Sequence, residues 1–475
     1  MSESPAGEAE AEPSIAVLPF ADMSPEKDQE YFSDGIAEEL LNLLVRVDGL
    51  KVASRTSSFT FKNTALNIAE IADELKVDHI LEGSIRKANN RVRITAQLID
   101  AATDRHLWSD TYDRDLDDIF GIQDEIANAI VDALRTELGV LADSGPVSSG
   151  VATENLDAYE LYLKARGLFL ARAELDTAVA LFEQAVELDP AFAKAWADLA
   201  ANYSVMESWG FVDRDYSELG LAAADKALEL DPGLSTPWAV KSQVGSNRGK
   251  LAEGMPYLEK AIEIDPNNAT HYLWRGIDWS TLGFQEKSIA DLEHCLELDP
   301  AYENCRRHLA FSYFIIDENE KGLELFQQGA ERGYTGANLM FVQRFLSLDK
   351  PMLATQMIWD GEEIGSTLPG KEILEAMQYP ARDHSRGVVK LQAYLDQLEG
   401  GSIGEAMIFS AFKAFHLVEY DPGFPRWIWL HENADFRKSE YFQKHLEKTG
   451  ALDYWREHGF PPACRPLGEE DFECD

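Results

Sequence analysis

The chain has 475 residues, 45% of them hydrophobic, which suits a folded protein and is too apolar for a disordered one. Asp and Glu number 84 against 43 Lys and Arg, a formal net charge of −41. Such a surface repels phosphate backbones and anionic lipid faces, which excludes nucleic acid as a ligand and leaves plain solubility or a basic partner as readings of the charge.

Residues 1–13, MSESPAGEAEAEP, are acidic and small. They lack the positive flank and apolar core of a secretory signal and read as a disordered leader. No apolar run elsewhere is long enough to span a bilayer, so no direct membrane insertion by this chain is expected. Taken literally, the chain is cytoplasmic.

Residues 14–142 read as an α/β domain with a mixed sheet. Ile15–Phe20 is a short apolar run, a buried strand. Over Tyr31–Val47 the period changes: Ile36, Leu40, Leu43, Leu44 and Val47 share one helical face, with Glu38, Glu39 and Asn42 off it. Ser33 or Asp34 is the expected cap of that helix. Leu50–Ala53 is a second strand and Ile68–Leu75 a second amphipathic helix. Strands follow over His79–Lys87, Val92–Ile99 and Leu107–Tyr112, the first two joined by an Asn89-Asn90 turn. Ile119–Leu138 is the closing helix. The order β-α-β-α-β-β-β-α implies a sheet covered by helices mainly on one face. No Gly-rich turn follows Phe20, so nucleotide binding of the usual kinds finds no support.

Residues 143–157 read as a linker. Over 158–333, Asp-Pro pairs at Asp189-Pro190, Asp231-Pro232, Asp265-Pro266 and Asp299-Pro300 end apolar helices. Pro232, Pro266 and Pro300 recur every 34 residues, the tetratricopeptide period, and the interval before them is longer by eight. Aligned on the prolines, two columns hold small residues in all five repeats: Ala178, Gly220, Gly254, Ser288 and Gly322, then Ala185, Ala227, Ala261, Cys295 and Gly329. Antiparallel helices that touch closely need small side chains at the crossing. The insert near Trp209–Tyr216 is aromatic and acidic, either a lengthened turn or a lip for a ligand.

In that register the first helix of each repeat faces a concave surface. Lys194, Gln243, Leu273, Ile277, Arg307 and Phe311 are its candidate partner contacts, a small and largely apolar set. The Lys/Asn/Arg clamp that chaperone-binding repeats use for a peptide carboxylate is missing. An apolar or extended peptide is the expected occupant, or the chain's own C-terminal region.

Residues 334–475 read as degenerate helical repeats and a C-terminal cap, with helices over Asn338–Leu348, Ala354–Ile364, Glu372–Met377, Gly387–Leu398 and Ile403–Val418. The cysteines are Cys295, Cys305, Cys464 and Cys474. Cys295 sits in a small-residue column and reads as a buried, inert thiol; a bond from it to Cys305 would strain the packing. Cys464 and Cys474 lie in a Pro/Gly-containing tail that could bring them together, as free thiols in the cytosol or as a disulfide if exported. His458 has no second His at ligand spacing, so no metal site is expected.

The blocks SIAVLPF, EYFSDGIAEELLNLL, SRTSSFTFK, IADELKVDHILEGSIRK, RVRITAQLID and HLWSDTYDRDLDDIFGIQDEIA resemble, in order, a TolB N-terminal-like or FlgO-like domain. The closing DYWR, G-x-P and CRP elements resemble the end of bacterial proteins that join such a domain to tetratricopeptide repeats. The resemblance implies signalling proteins that often carry an adenylate cyclase or winged-helix effector and one membrane span, none of which is seen in this sequence. It supplies architecture and no catalytic residues.

No GxSxG elbow, HExxH, P-loop or kinase set is present, so no catalytic residue, cofactor or metal is assigned. The expectation is a non-enzymatic scaffold that binds a protein or peptide. The second reading is a ligand-sensing portion of a membrane-bound cyclase or transcription regulator, at the periplasmic face of the inner membrane.

Overall fold

The computed structural model describes residues 13–138, 153, 155–208, 211, 213–332, 339–354, 370–379, 382–395, 426–468 and 471–475. The leader, nearly all of the linker, most of the insert's start, the helix expected over Ile403–Val418 and all but Ala354 of the one expected over Ala354–Ile364 lie outside them. Two compact units emerge: residues 1–199 with 298–301, and residues 200–297 with 302–475.

The first unit opens with a six-stranded sheet in the order β3-β1-β4-β5-β6, with β2 beside β4. The strands are β1 (Ser14–Val17), β2 (Ala21–Asp22), β3 (Lys51–Val52), β4 (His79–Ala88), β5 (Arg91–Asp100) and β6 (Arg105–Asp115). β1 runs parallel to β3 and β4, while β4, β5 and β6 form an antiparallel meander. The β4–β5 turn has Asn89 at φ 53°, a left-handed position that Asn tolerates. The helices are α1 (Glu30–Leu44), α2 (Arg55–Phe59), α3 (Ile68–Leu75) and α4 (Ile119–Leu138). All four residues of β1 are buried, so the sheet is covered on both sides at that strand. Ala16, Leu18 and Ile80 pack with Ile71 and Ala72 of α3, whereas α1 lies against β1 and α4 against β5 and β6.

Three sequence expectations change here. α1 starts at Glu30, without a side-chain cap, and Asp34 pairs with Lys62 at 2.5 Å instead of capping. α2 is an extra helix, capped by Ser54, whose side chain accepts from the Ser57 N–H. Glu38 and Glu39 are buried, not wet, because a second helix pair covers that side of α1.

That pair is the first repeat, α5 (Leu156–Ala171) and α6 (Leu175–Leu188). Four further pairs follow: α7 (Ala193–Ser208) with α8 (Tyr216–Leu230), α9 (Thr236–Asn247) with α10 (Leu251–Ile264), α11 (Ala269–Thr281) with α12 (Gln285–Leu298), and α13 (Glu303–Ile315) with α14 (Asn319–Glu331). All ten small-column residues are buried. A methyl group on Gly254 would lie 2.9 Å from the Ser242 carbonyl oxygen, so the α9–α10 crossing requires that glycine's bare backbone. The fold is thus an α/β domain with a mixed sheet followed by a tetratricopeptide-type helical region.

Beyond α14 the helices among the described residues are short: Leu339–Ser347, Gly370–Gln378, Ser385–Leu395, Ala434–Arg437, Glu440–Thr449 and Ala451–His458. The chain then forms a two-stranded antiparallel hairpin, β7 (Cys464–Leu467) and β8 (Asp471–Cys474), which the helical reading of this region missed. Cys464 and Cys474 face each other in the hairpin and are joined by a disulfide. Cys295 and Cys305 are also joined, tying α12 to α13 across the Asp299-Pro300 turn. This overturns the inert-thiol reading of Cys295: the turn returns the chain so tightly that the two Cα atoms stand 6.3 Å apart, within disulfide reach.

Candidate functional site

The candidate surface is the first helices of the repeats, taken unit by unit. In the first unit, α5 is covered by α1. Arg166 of α5 donates through Nε to Glu38 Oε1 at 2.9 Å and also pairs with Asp198 of α7. Arg55 donates to the other oxygen of Glu38 at 2.9 Å. Burial alone would raise the Glu38 carboxyl, but Arg166 and Arg55 hold it below the ordinary carboxylate range. Lys194, one of the expected partner contacts, donates to Glu39 Oε2 at 2.9 Å. The same contact is sealed by shape: a methyl on Gly35 of α1 would fall 2.6 Å from Leu163 of α5. Tyr159 of α5 accepts from Gln123 of α4 at 3.2 Å.

In the second unit the row divides by chemistry. Its upper part is polar. Gln243 donates to Asn247 Oδ1 at 3.0 Å, and Asn247 donates to Glu207 Oε2 at 3.0 Å and to Ser208 Oγ at 3.1 Å. Gln243, Asn247 and Glu207 are half-buried and Ser208 is exposed, so this strip meets solvent. One turn further, Ser246 donates to Asp278 Oδ1 at 3.2 Å. Burial pushes the Asp278 carboxyl up to about 8, against the pull of Ser246 and Arg426.

The lower part is apolar and covered. Leu273 is buried with Leu292, the Cys295–Cys305 bridge, Leu309 and Tyr313, and Ile277 packs half-buried on that cluster. Phe311 is fully buried in the large core that unites α13, Phe341, Ile428, Trp429 and Trp455. Arg426 stands over the Phe311 ring at 5.2 Å and donates to His308 Nδ1 at 2.5 Å. Burial, then the charges of Arg426 and Arg307, keep His308 neutral by holding it well below its ordinary range. Arg307 donates to Asn304 at 3.2 Å and remains half-exposed. Trp429 and Trp455 donate through Nε1 to the carbonyls of Thr281 and Leu282, at 2.8 and 3.1 Å. The C-terminal segment therefore packs on Phe311 and the end of α11, while Leu273 and Ile277 are covered by neighbouring repeat residues.

Of the six candidate contacts, Gln243, Ile277 and Arg307 keep exposed surface. Leu273 and Phe311 are enclosed by the protein's own side chains, and Lys194 is paired within the first unit. The polar residues Glu207, Ser208 and Asn247 went unassigned in the sequence; Asn247 lies one helical turn from Gln243 in the repeat register, the signal that finds it, while Glu207 and Ser208 at the end of α7 carry no such signal. Among the described residues no group of three or more His, Cys, Asp or Glu is placed to hold a metal ion.

Comparison with known proteins adds further findings. Residues 10–129 match the family model of the second domain of HilA/YgeH-like transcriptional regulators, in place of the TolB or FlgO domain expected there. Residues 236–268 match a tetratricopeptide repeat model. Over 192 residues, 40% of this chain, the sequence is 43% identical to a protein named putative adenylate cyclase 3 from Rhizobium meliloti (strain 1021). Among solved structures, the thermophilic repeat protein TTC0263 of Thermus thermophilus is similar over 42% of this chain and 99% of its own, with 19% identity and a TM-score of 0.33. PilW, a type IV pilus biogenesis factor, is similar over 50% of this chain and 99% of its own, with 17% identity and a TM-score of 0.35. The chain spans 32% of the length of its cyclase-named relative and carries a tetratricopeptide repeat at residues 236–268.

Proposed function

We propose that this chain is a non-catalytic scaffold that takes an extended peptide or protein segment on the polar strip of its repeat row, in a bacterial signalling or envelope process. The observation that carries the reading is the hydrogen-bonded, solvent-facing set Glu207, Ser208, Gln243 and Asn247 on two successive first helices. Amide side chains at that spacing pair with the N–H and C=O groups of an extended backbone, which gives affinity without a demand on the ligand's sequence. Peptides selected from a displayed library on the full chain should bind the Gln243→Ala/Asn247→Ala variant roughly tenfold less tightly. Equal affinity for parent and variant sinks this reading.

A second reading is favoured by the 43% identity to the putative adenylate cyclase: the chain is the regulatory part of a cyclase. The pairing of α1 with α5 supports it, since a change in the α/β domain would reach the first repeat directly. The two disulfides support an oxidising compartment such as the periplasm. Genomic sequence in frame before Met1 tests it: a cyclase domain and a membrane span there favour the regulator, and their absence removes it.

A further inference from the structure

The last strand of the sheet is a second surface, remote in chemistry from the repeat row. β6 ends the strand order and, among the described residues, pairs only with β5. It runs for eleven residues, Arg105–Asp115, with no Pro or Gly to interrupt it. Residues of an antiparallel strand alternate between those bonded to the neighbour and those whose backbone groups point away. The Thr111 N–H is of the second kind, because it donates to the Asp110 side chain at 2.7 Å. The hydroxyls of Thr95 and Thr111 meet at 3.2 Å, as expected of a pair whose backbones are not bonded. Ser109 and Asp113, two residues either side, therefore also turn their backbone donors and acceptors outward.

Beside this edge lies a groove of about 640 Å³ between β6 and α4. Its charged lining is Asp110 and Arg114 from the strand and Asp124, Glu125 and Asp132 from the helix. Four carboxylates thus stand with Arg114 in the lining, and one of them, Asp132, also pairs with Arg135 of α4 at 3.1 Å. Their field is felt at the groove floor, where burial and then Asp110 and Glu125 raise the Tyr112 phenol. A second copy of this chain would bring the same acidic groove to the contact, in a protein of net charge −41, and would be repelled.

We propose that β6 is a docking edge for an extended basic peptide, which adds to the sheet as a further strand. Its backbone pairs with Ser109, Thr111 and Asp113, and its alternate Lys or Arg side chains enter the acidic groove under α4. The Asp110 carboxylate caps the Thr111 N–H until the incoming carbonyl takes that donor.

The probe is a labelled, end-capped peptide of about eight residues alternating Lys and Val, long enough to cover a typical strand. A Glu/Val peptide and a Lys/Val peptide broken by central Pro serve as controls. The Glu125→Lys/Asp132→Lys variant changes two exposed side chains and should melt with the parent. Binding of the Lys/Val peptide should weaken roughly tenfold or more in it. Ser109→Pro removes one outward N–H that an edge strand can spare, and should weaken binding as well. Hydrogen exchange at Ser109 and Asp113 should slow when the peptide is added. Unchanged affinity in both variants overturns the proposal. So does equal binding of the Pro-broken peptide, which would reduce the interaction to bulk charge, or protection that appears on α9 and α11 in place of β6.

Discussion

Glu38 and Arg166 are 128 residues apart in the chain, yet Arg166 Nε stands 2.9 Å from Glu38 Oε1. Glu38 is buried on α1 with two guanidiniums, Arg55 and Arg166, on its two oxygens. The pairing converts two sequence segments, a small α/β domain and the first helical repeat, into one compact unit.

Removing one member of such a group strands the others. Glu38→Gln should lower stability by about 3–5 kcal/mol, because it leaves Arg166 and Arg55 without their shared carboxylate. Glu38→Gln with Arg166→Met should cost less than the two single changes added together. Denaturant midpoints of the four proteins check this; strict additivity means that the two residues do not interact.

Asp278 gives a pH dependence of definite sign. The unfolded carboxyl ionises near pH 4, while the folded one holds its proton up to about pH 8. Between those values the folded state binds the extra proton, so this group makes stability fall as pH rises. Asp278→Asn should be level with the parent near pH 4 and more stable near pH 8, on the order of a few kcal/mol. Melting curves of both proteins at the two pH values decide it. A parent that becomes more stable relative to the variant at high pH contradicts the placement of Asp278.

Two glycines of the helical region should respond in opposite ways to the same substitution. Gly254→Ala puts a methyl 2.9 Å from a backbone carbonyl at the α9–α10 crossing and should cost about 1–3 kcal/mol. Gly167→Ala adds a methyl inside α5 with nothing within 4 Å, and should stabilise by about 1 kcal/mol through helix propensity. Thermal melts of both variants check the repeat geometry, and identical shifts contradict it.

The two disulfides close short loops, with partners separated by ten residues in each case. Each should contribute about 2–3 kcal/mol by restricting the unfolded chain. Purified under oxidising conditions and then denatured, the protein should show no free thiol, and reductant should lower its denaturation midpoint. Four titratable thiols before reduction would place the chain in a reducing compartment.

Much of this architecture was legible in the sequence because it depends on local periodicity. Alternation in Val92–Ile99 shows β5, and the 34-residue spacing of Pro232, Pro266 and Pro300 shows the repeats. Small residues recur where helices touch because close packing leaves no choice. A one-dimensional pattern cannot say which distant segment covers an element. Glu38 and Glu39 read as lying off the apolar face because their partners, Arg166 and Lys194, lie more than a hundred residues downstream. Phe311 read as an open contact because Ile428 and Trp429, which enclose it, come later still. The sequence by itself determined most of the elements, the repeat register and the acidic balance, all set by neighbours along the chain. Only the tertiary structure decided which charges are paired, which cysteines meet and which parts of the repeat row stay open, since each depends on residues brought together through space.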